Sequence, residues 1–267
     1  MKNTKKDQKT LVVLPYYSGT EKVQGNELLL CLMGWYKYCQ FPYHFVVTGS
    51  DCHDIISEFP AEDFENIVIP RIDKAGTEEQ FFQHLDVMHN WEVIFDKFKK
   101  DYSGFIWIAD DNYAIHPFEL KDITTVHYLE DDFIGKRNTP CSHWQHDKWK
   151  TRALLYHLEQ SGINVGHKNY TTHYPCFFKF KELMRLKDEF NMSKESYVVE
   201  DLYFNIYKHP EPIHADNIRL GVWNRDIFVR QFPVALANPL IKFVVNSEAG
   251  WNEEMEKALL ERYLENC

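Results

Sequence analysis

Three adjacent oxygen-bearing side chains, Asp110, Asp111 and Asn112, follow an uninterrupted apolar run that spans Gly104 to Ala109. Carboxylates at the end of a buried strand suit a hard divalent cation, which in turn neutralises a diphosphate. The chain sets 30 Lys and Arg against 40 Asp and Glu, a formal charge of −10, so its own field repels phosphate and a metal would offset that. The competing reading is a plain turn, because Asp and Asn favour loop starts. Downstream, the loop Thr171-Thr-His-Tyr-Pro175 offers His173 and Tyr174, a pair able to stack on a ring and read hydroxyls. His143, His146 and Asp147 form an H-x-x-H-D cluster without a third ligand pattern, which favours a polar loop over zinc. Arg152, Lys168 and Lys179 are further candidates for a phosphate clamp that sequence does not separate from surface cations.

The elements that must position these groups are legible in part. Leu11 to Leu14 reads as a buried strand closed by Pro15, with Ser18-Gly19 as turn chemistry. Asn26 to Cys39 is apolar nearly all round, as in a helix between layers. Tyr43 to Thr48 and Ile67 to Ile69 read as strands, and Thr77 to Lys99 as a helix capped by Thr77, with Glu78 and Glu79 in its first turn and Phe81 opening its apolar face. The strand Gly104 to Ala109 then leads into the acidic triplet. This alternation predicts an α/β fold, a mixed but mostly parallel sheet flanked by helices in one compact domain, with ligand sites at the carboxyl ends of the strands. Beyond residue 118 the spacing predicts helices over Trp149 to Ser161, Glu182 to Phe190, Glu200 to Tyr207 and Asn252 to Leu264. Strands are expected at Val222, Ile227 to Phe232 and Leu240 to Val245.

Composition narrows the classes. The acidic balance argues against non-specific nucleic-acid binding, which needs a basic field. No apolar stretch approaches the ~20 residues of a membrane-spanning helix. The six cysteines, Cys31, Cys39, Cys52, Cys141, Cys176 and Cys267, show no C-x-x-C pair and fit reduced thiols of a cytoplasmic protein. The Lys-rich start over residues 1–10 (Lys2, Lys5, Lys6, Lys9) reads as a solvated tail or a weak contact with a membrane surface, which would put the protein at the inner membrane face.

Gly104-Phe-Ile-Trp-Ile-Ala-Asp-Asp-Asn112, at its distance from a first strand ending Leu14-Pro15-Tyr16-Tyr17, resembles the nucleotide-binding half of GT-A fold glycosyltransferases. The resemblance covers the order and spacing of roughly the first half, and implies a nucleotide-sugar-binding portion over 11–118 and an acceptor-binding portion over 119–267. In that superfamily a D-x-D motif holds manganese or magnesium on the diphosphate. Here the third position is Asn112, a weaker ligand, which leaves open whether Asp110 or Asp111 is the main contact. By the same resemblance Pro15, Tyr16 and Tyr17 lie against the base and ribose, Asp51 is a partner for them, and Arg71 reaches phosphate or base. His214 is implied as a third metal ligand from the C-terminal part. Val199-Glu-Asp-Leu-Tyr203 resembles an acceptor-half segment of inverting members, which makes Glu200 or Asp201 the base toward the acceptor hydroxyl. Each has a bland counterpart: turn, surface ion pair, core packing, or helix-dipole preference for acids.

The function implied is transfer of a sugar from a UDP- or GDP-sugar to a glycan or lipid-linked acceptor, assisted by Mn2+ or Mg2+, as in polysaccharide biosynthesis. Two alternatives stay open: sugar-phosphate or nucleotidyl transfer on the same kind of site, and a non-catalytic glycan- or partner-binding protein. A P-loop enzyme and a Rossmann dinucleotide enzyme are disfavoured by the lack of their glycine motifs.

Overall fold

A computed structural model describes residues 9–17, 26–72, 83–131, 143–208, 211–247 and 250–265. The start of the Lys-rich tail, Ser18, Gly19, Thr77, Glu78, Glu79, Phe81, Cys141, Cys267 and the side chain of His143 lie outside the described residues. In chain order the elements are β1 (Thr10–Tyr16), α1 (Glu27–Tyr38), β2 (Tyr43–Gly49), α2 (His53–Ile56), β3 (Phe64–Val68), α3 (Gln83–Phe98), β4 (Gly104–Trp107) and β5 (Asn112–Ala114). They continue with α4 (Leu120–Thr124), β6 (His127–Tyr128), α5 (His143–Gln160), β7 (Cys176–Lys179), α6 (Phe180–Glu189), α7 (Val199–Ile206) and β8 (Ile213–His214). The last are β9 (Arg219–Val222), α8 (Arg225–Ala237), β10 (Phe243–Asn246) and α9 (Glu253–Leu264).

A strand apolar on both faces needs cover on both. In β1, Val12 and Leu14 enter one core with Trp35, Phe45 and Ile106, while Leu11 and Val13 enter another with Trp91, Phe105 and Phe178. The central sheet between them has the order β3-β2-β1-β4-β7, with β1 to β4 parallel and β7 antiparallel at the edge. The α1, α8 and α9 side packs on the first core, and α3, α5, α6 and α7 on the second. The result is an α/β single domain with a mixed, mostly parallel sheet flanked by helices.

A second sheet, β5-β10-β9, joins residues far apart in sequence: β5 runs antiparallel to β10, and β9 parallel to it. The two portions on either side of residue 118 therefore interleave, because β7 completes the first sheet and β5 belongs to the second. Lys37 ties α1 to the C-terminal helix by donating to the carbonyls of Arg262 (2.8 Å) and Tyr263 (3.0 Å).

One expected strand is a helix. Ile227 to Phe232 lies inside α8, where the Asn224 side chain accepts the Ile227 N–H at 3.0 Å as an N-cap. Phe228, Phe232 and Ala235, four and three residues apart, bury one helical face. Pro233 within the helix is the local feature that points the other way. Helix α5 begins at His143 rather than Trp149, and α2 and α4 are short helices the spacing does not announce. No helix among the described residues is long and apolar enough to cross a membrane.

Candidate functional site

The parallel strands β1 to β4 end at one edge of the sheet, and there the chain steps from one sheet to the other. The Ile108 N–H still donates to Val13 O (3.1 Å), Asp110 and Asp111 form a turn, and Asn112 already pairs with Val245 in β10. The Asn246 N–H donates to Asp111 O (3.3 Å), so the acidic turn is held from both sides. Asp111 places Oδ2 3.5 Å from His173 Nδ1, while its buried Oδ1 has no hydrogen-bond partner among the described residues. Asn112 is fully buried and its amide donates to His173 O. Its amide nitrogen is thus a strut for the loop opposite, while its Oδ1 has no hydrogen-bond partner among the described residues.

That strut holds His173 in the left-handed region (φ 53°), uncommon outside glycine and seen where surroundings fix it. Burial pushes the His173 imidazole down, but the hydrogen bond and charge of Asp111 outweigh it, so the net direction is up. Tyr174 turns the other way. It is 4% exposed, its ring packs 4.5 Å from His127 and 5.1 Å from Phe243, and its hydroxyl donates to Asp122 O (3.3 Å). Tyr174 is thus core, not an acceptor platform, because the turn at His173 alternates which ring faces out.

Facing His173 is a feature the sequence reading missed. Arg219, Gly221 and Trp223 alternate onto one side of β9 and its exit, while Leu220 and Val222 fill the core. The Arg219 side chain is 2% exposed, and its Nε has no hydrogen-bond partner among the described residues. Its guanidinium lies 5.7 Å from the Trp223 ring, and Trp223 stands edge-on to His173 at 5.9 Å. Gly221 makes room for this: a Cβ there would come within 2.6 Å of the indole and 2.8 Å of Arg219 Nη1. Its only signal in sequence is an arginine and a glycine inside an otherwise apolar strand.

The acid pair on α7 splits. Asp201 is fully buried, accepts the Tyr170 N–H, and is pushed up to about 8 chiefly by burial. Asn205 supports the same loop by donating to Lys168 O (2.9 Å) and Asp201 O (2.7 Å). Asp201 therefore braces the segment that carries His173, and its full burial counts against it as the base. Glu200 is partly exposed and within electrostatic reach of His173 and Cys176.

The remaining predicted residues fall in three places. Tyr17 and Arg71 come together, with the guanidinium 5.3 Å from the Tyr17 ring. Asn90 donates to the Tyr17 hydroxyl (2.6 Å), and Arg71 is paired with the buried Asp86 (3.1 Å). Pro15 and Tyr16 end β1 beside Thr48 and Gly49, and Tyr16 packs against the first core. Asp51 is exposed and accepts the His53 N–H at 3.1 Å, the work of a turn residue at the start of α2. His214 accepts the Asp216 N–H (3.3 Å) and meets Tyr128 edge-on at 5.5 Å, so it does not join the acidic turn. Lys168 pairs with Asp131, Lys179 with Glu182 and Arg152 with Tyr156, and none of these three contacts is to the acidic turn. Asp147 is buried and accepts the Ser196 hydroxyl (2.6 Å) as an internal brace, while His146 is exposed. The described cysteines Cys31, Cys39, Cys52 and Cys176 are free thiols.

Among the described residues no three His, Cys, Asp or Glu side chains are grouped to hold a metal. Two adjacent carboxylates with a buried unpartnered oxygen fit a different arrangement, a cation that keeps waters and completes its shell on ligand phosphates. Asp110 and Asp111 are the residues that would hold it. Compared with known proteins, the chain matches no family model and no curated protein.

Proposed function

We propose that the protein is a glycosyltransferase that takes a sugar from a nucleotide-diphosphate donor and passes it to a hydroxyl of a glycan or lipid-linked acceptor. The observation that carries this reading is the pair Asp110-Asp111 at the carboxyl edge of the parallel strands, facing His173, Arg219 and Trp223 from the second half. Ligands of α/β sheets bind outside such an edge. The sheet order β3-β2-β1-β4-β7, with its antiparallel edge strand, supports the GT-A resemblance seen in sequence.

The roles follow from the chemistry of each side chain. Asp110 and Asp111 hold Mn2+ or Mg2+, which when bound supplies positive charge to the diphosphate. His173 orients Asp111 through its ring nitrogen. Tyr17, fixed by Asn90 and covered by Arg71, offers a ring for the base. Glu200 accepts the proton of the attacking hydroxyl.

Thermal unfolding against UDP, GDP and CDP, with and without manganese, tests the donor half. A ligand at ~100 times its dissociation constant stabilises by about 2.7 kcal/mol, a readable rise in midpoint. A manganese-dependent rise with one nucleotide is the expected result. No rise with any of them would sink the reading in favour of a non-catalytic binder.

A further inference from the structure

We infer that the acceptor is an acidic sugar, with its carboxylate or phosphate received by Arg219 and its ring laid on Trp223. A buried guanidinium without a hydrogen-bonded acceptor is costly, and folded proteins rarely keep one unless something else pairs with it. Arg219 holds such a donor in Nε, which has no hydrogen-bond partner among the described residues. Its ion-pair partner there is Asp216, at 3.8 Å, too far for a hydrogen bond and itself 67% exposed. Asp111 acts on it only through space.

The arrangement around Arg219 is built rather than left over. On one side of β9 the alternation Arg219-Gly221-Trp223 sets a planar cation beside an indole that is 39% exposed. Any side chain at 221 would collide with both and push them apart. A guanidinium matches the two oxygens of a carboxylate or phosphate in its own plane. An indole face covers the C–H face of a pyranose. Together they select a ring that bears an anion. His173, edge-on to Trp223 and tied to Asp111, closes the subsite toward the metal-binding turn.

This deepens the glycosyltransferase reading and rests on it for the word acceptor; the subsite does not need it. Saturation-transfer NMR with glucuronate, glucose 6-phosphate and glucose, beside a separate UDP titration, tests both parts. Glucuronate and glucose 6-phosphate are expected to bind and glucose at least about tenfold more weakly, with the ratio between the two acids naming the preferred anion. Arg219→Gln should erase the preference for the acids, and Gly221→Val should weaken all three sugars by driving the indole away from the guanidinium. If Arg219→Gln does not fold, Trp223→Ala, at an exposed position, should still weaken the acidic sugars about tenfold. Equal binding of glucose, or no sugar binding by protein that binds UDP, overturns the inference. Arg219→Gln that weakens UDP and leaves the acidic sugars intact overturns it too, and assigns the arginine to the donor diphosphate. Acidic-sugar binding without any nucleotide binding leaves the subsite standing and removes the transferase reading.

Discussion

Two carboxylates of this protein, the fully buried Asp201 and the partly exposed Asp111, are used differently. The Asp201 carboxylate accepts from the Tyr170 backbone, the neighbouring Asn205 side chain bonds the Lys168 backbone, and together they brace the loop over 168–171. Around Asp111 the neighbours are side chains that ionise or stay charged, His173 and Arg219, beside an exposed indole. A carboxylate among backbone donors holds the fold. One beside cations at a strand edge, partly open to solvent, is the one the proposed donor site uses.

The contrast breaks most sharply if Asp110 and Asp111 are both changed to Ala. Turnover, followed as release of nucleoside diphosphate, is expected to fall on the order of 1,000-fold, because charge stabilisation of the leaving group is lost. The unfolding midpoint should move little, since the turn is exposed to ligand rather than packed. A large drop in midpoint with the same turnover would place Asp111 with the braces.

Asp201 should give the opposite result. Burial raises its folded-state value from 3.8 to about 8, so the folded protein keeps a proton that the unfolded chain releases in that window. The folded state then binds more protons, and stability falls as pH rises from about 4 to about 8, then levels off. The whole effect is on the order of a few kcal/mol. Urea unfolding near the two ends of the window should show this slope in the native protein and not in Asp201→Asn. An unchanged slope would mean that Asp201 ionises freely and is open to solvent.

Tyr174 sharpens the division at one residue's distance from His173. Tyr174→Ala is expected to cost about 3–5 kcal/mol as a core aromatic truncation. Tyr174→Phe loses one weak hydrogen bond, about 1 kcal/mol, and should leave sugar binding unaltered. Loss of sugar binding in the stable Phe variant would return Tyr174 to the site.

Much of the first half was legible because its signals are local. Leu11 to Leu14, Tyr43 to Thr48 and Gly104 to Ala109 are apolar on both faces, and the Asp110-Asp111 turn follows directly. The second half depends on pairings between distant residues, such as Asn112 with Val245 and Val245 with Gly221. Nothing local tells that Arg219 and Trp223 share a face beside Asp111. Adjacent acids such as Glu200 and Asp201 differ by a rotation of about 100° on a helix, and sequence does not say which points inward. Ile227 to Phe232 misleads because its apolar residues also suit a strand, and only the Asn224 cap and the burial of Phe228 and Phe232 decide for a helix.

The step from β4 to β5 has a consequence for how the protein is made. Asp111 and Asn112 are clamped by Asn246 and Val245, which a ribosome adds long after the central strands are complete. A nascent chain can form β1 to β4 early, but its acidic turn stays loose until β10 docks. The acidic turn is therefore fixed only after β10 has been made and has docked.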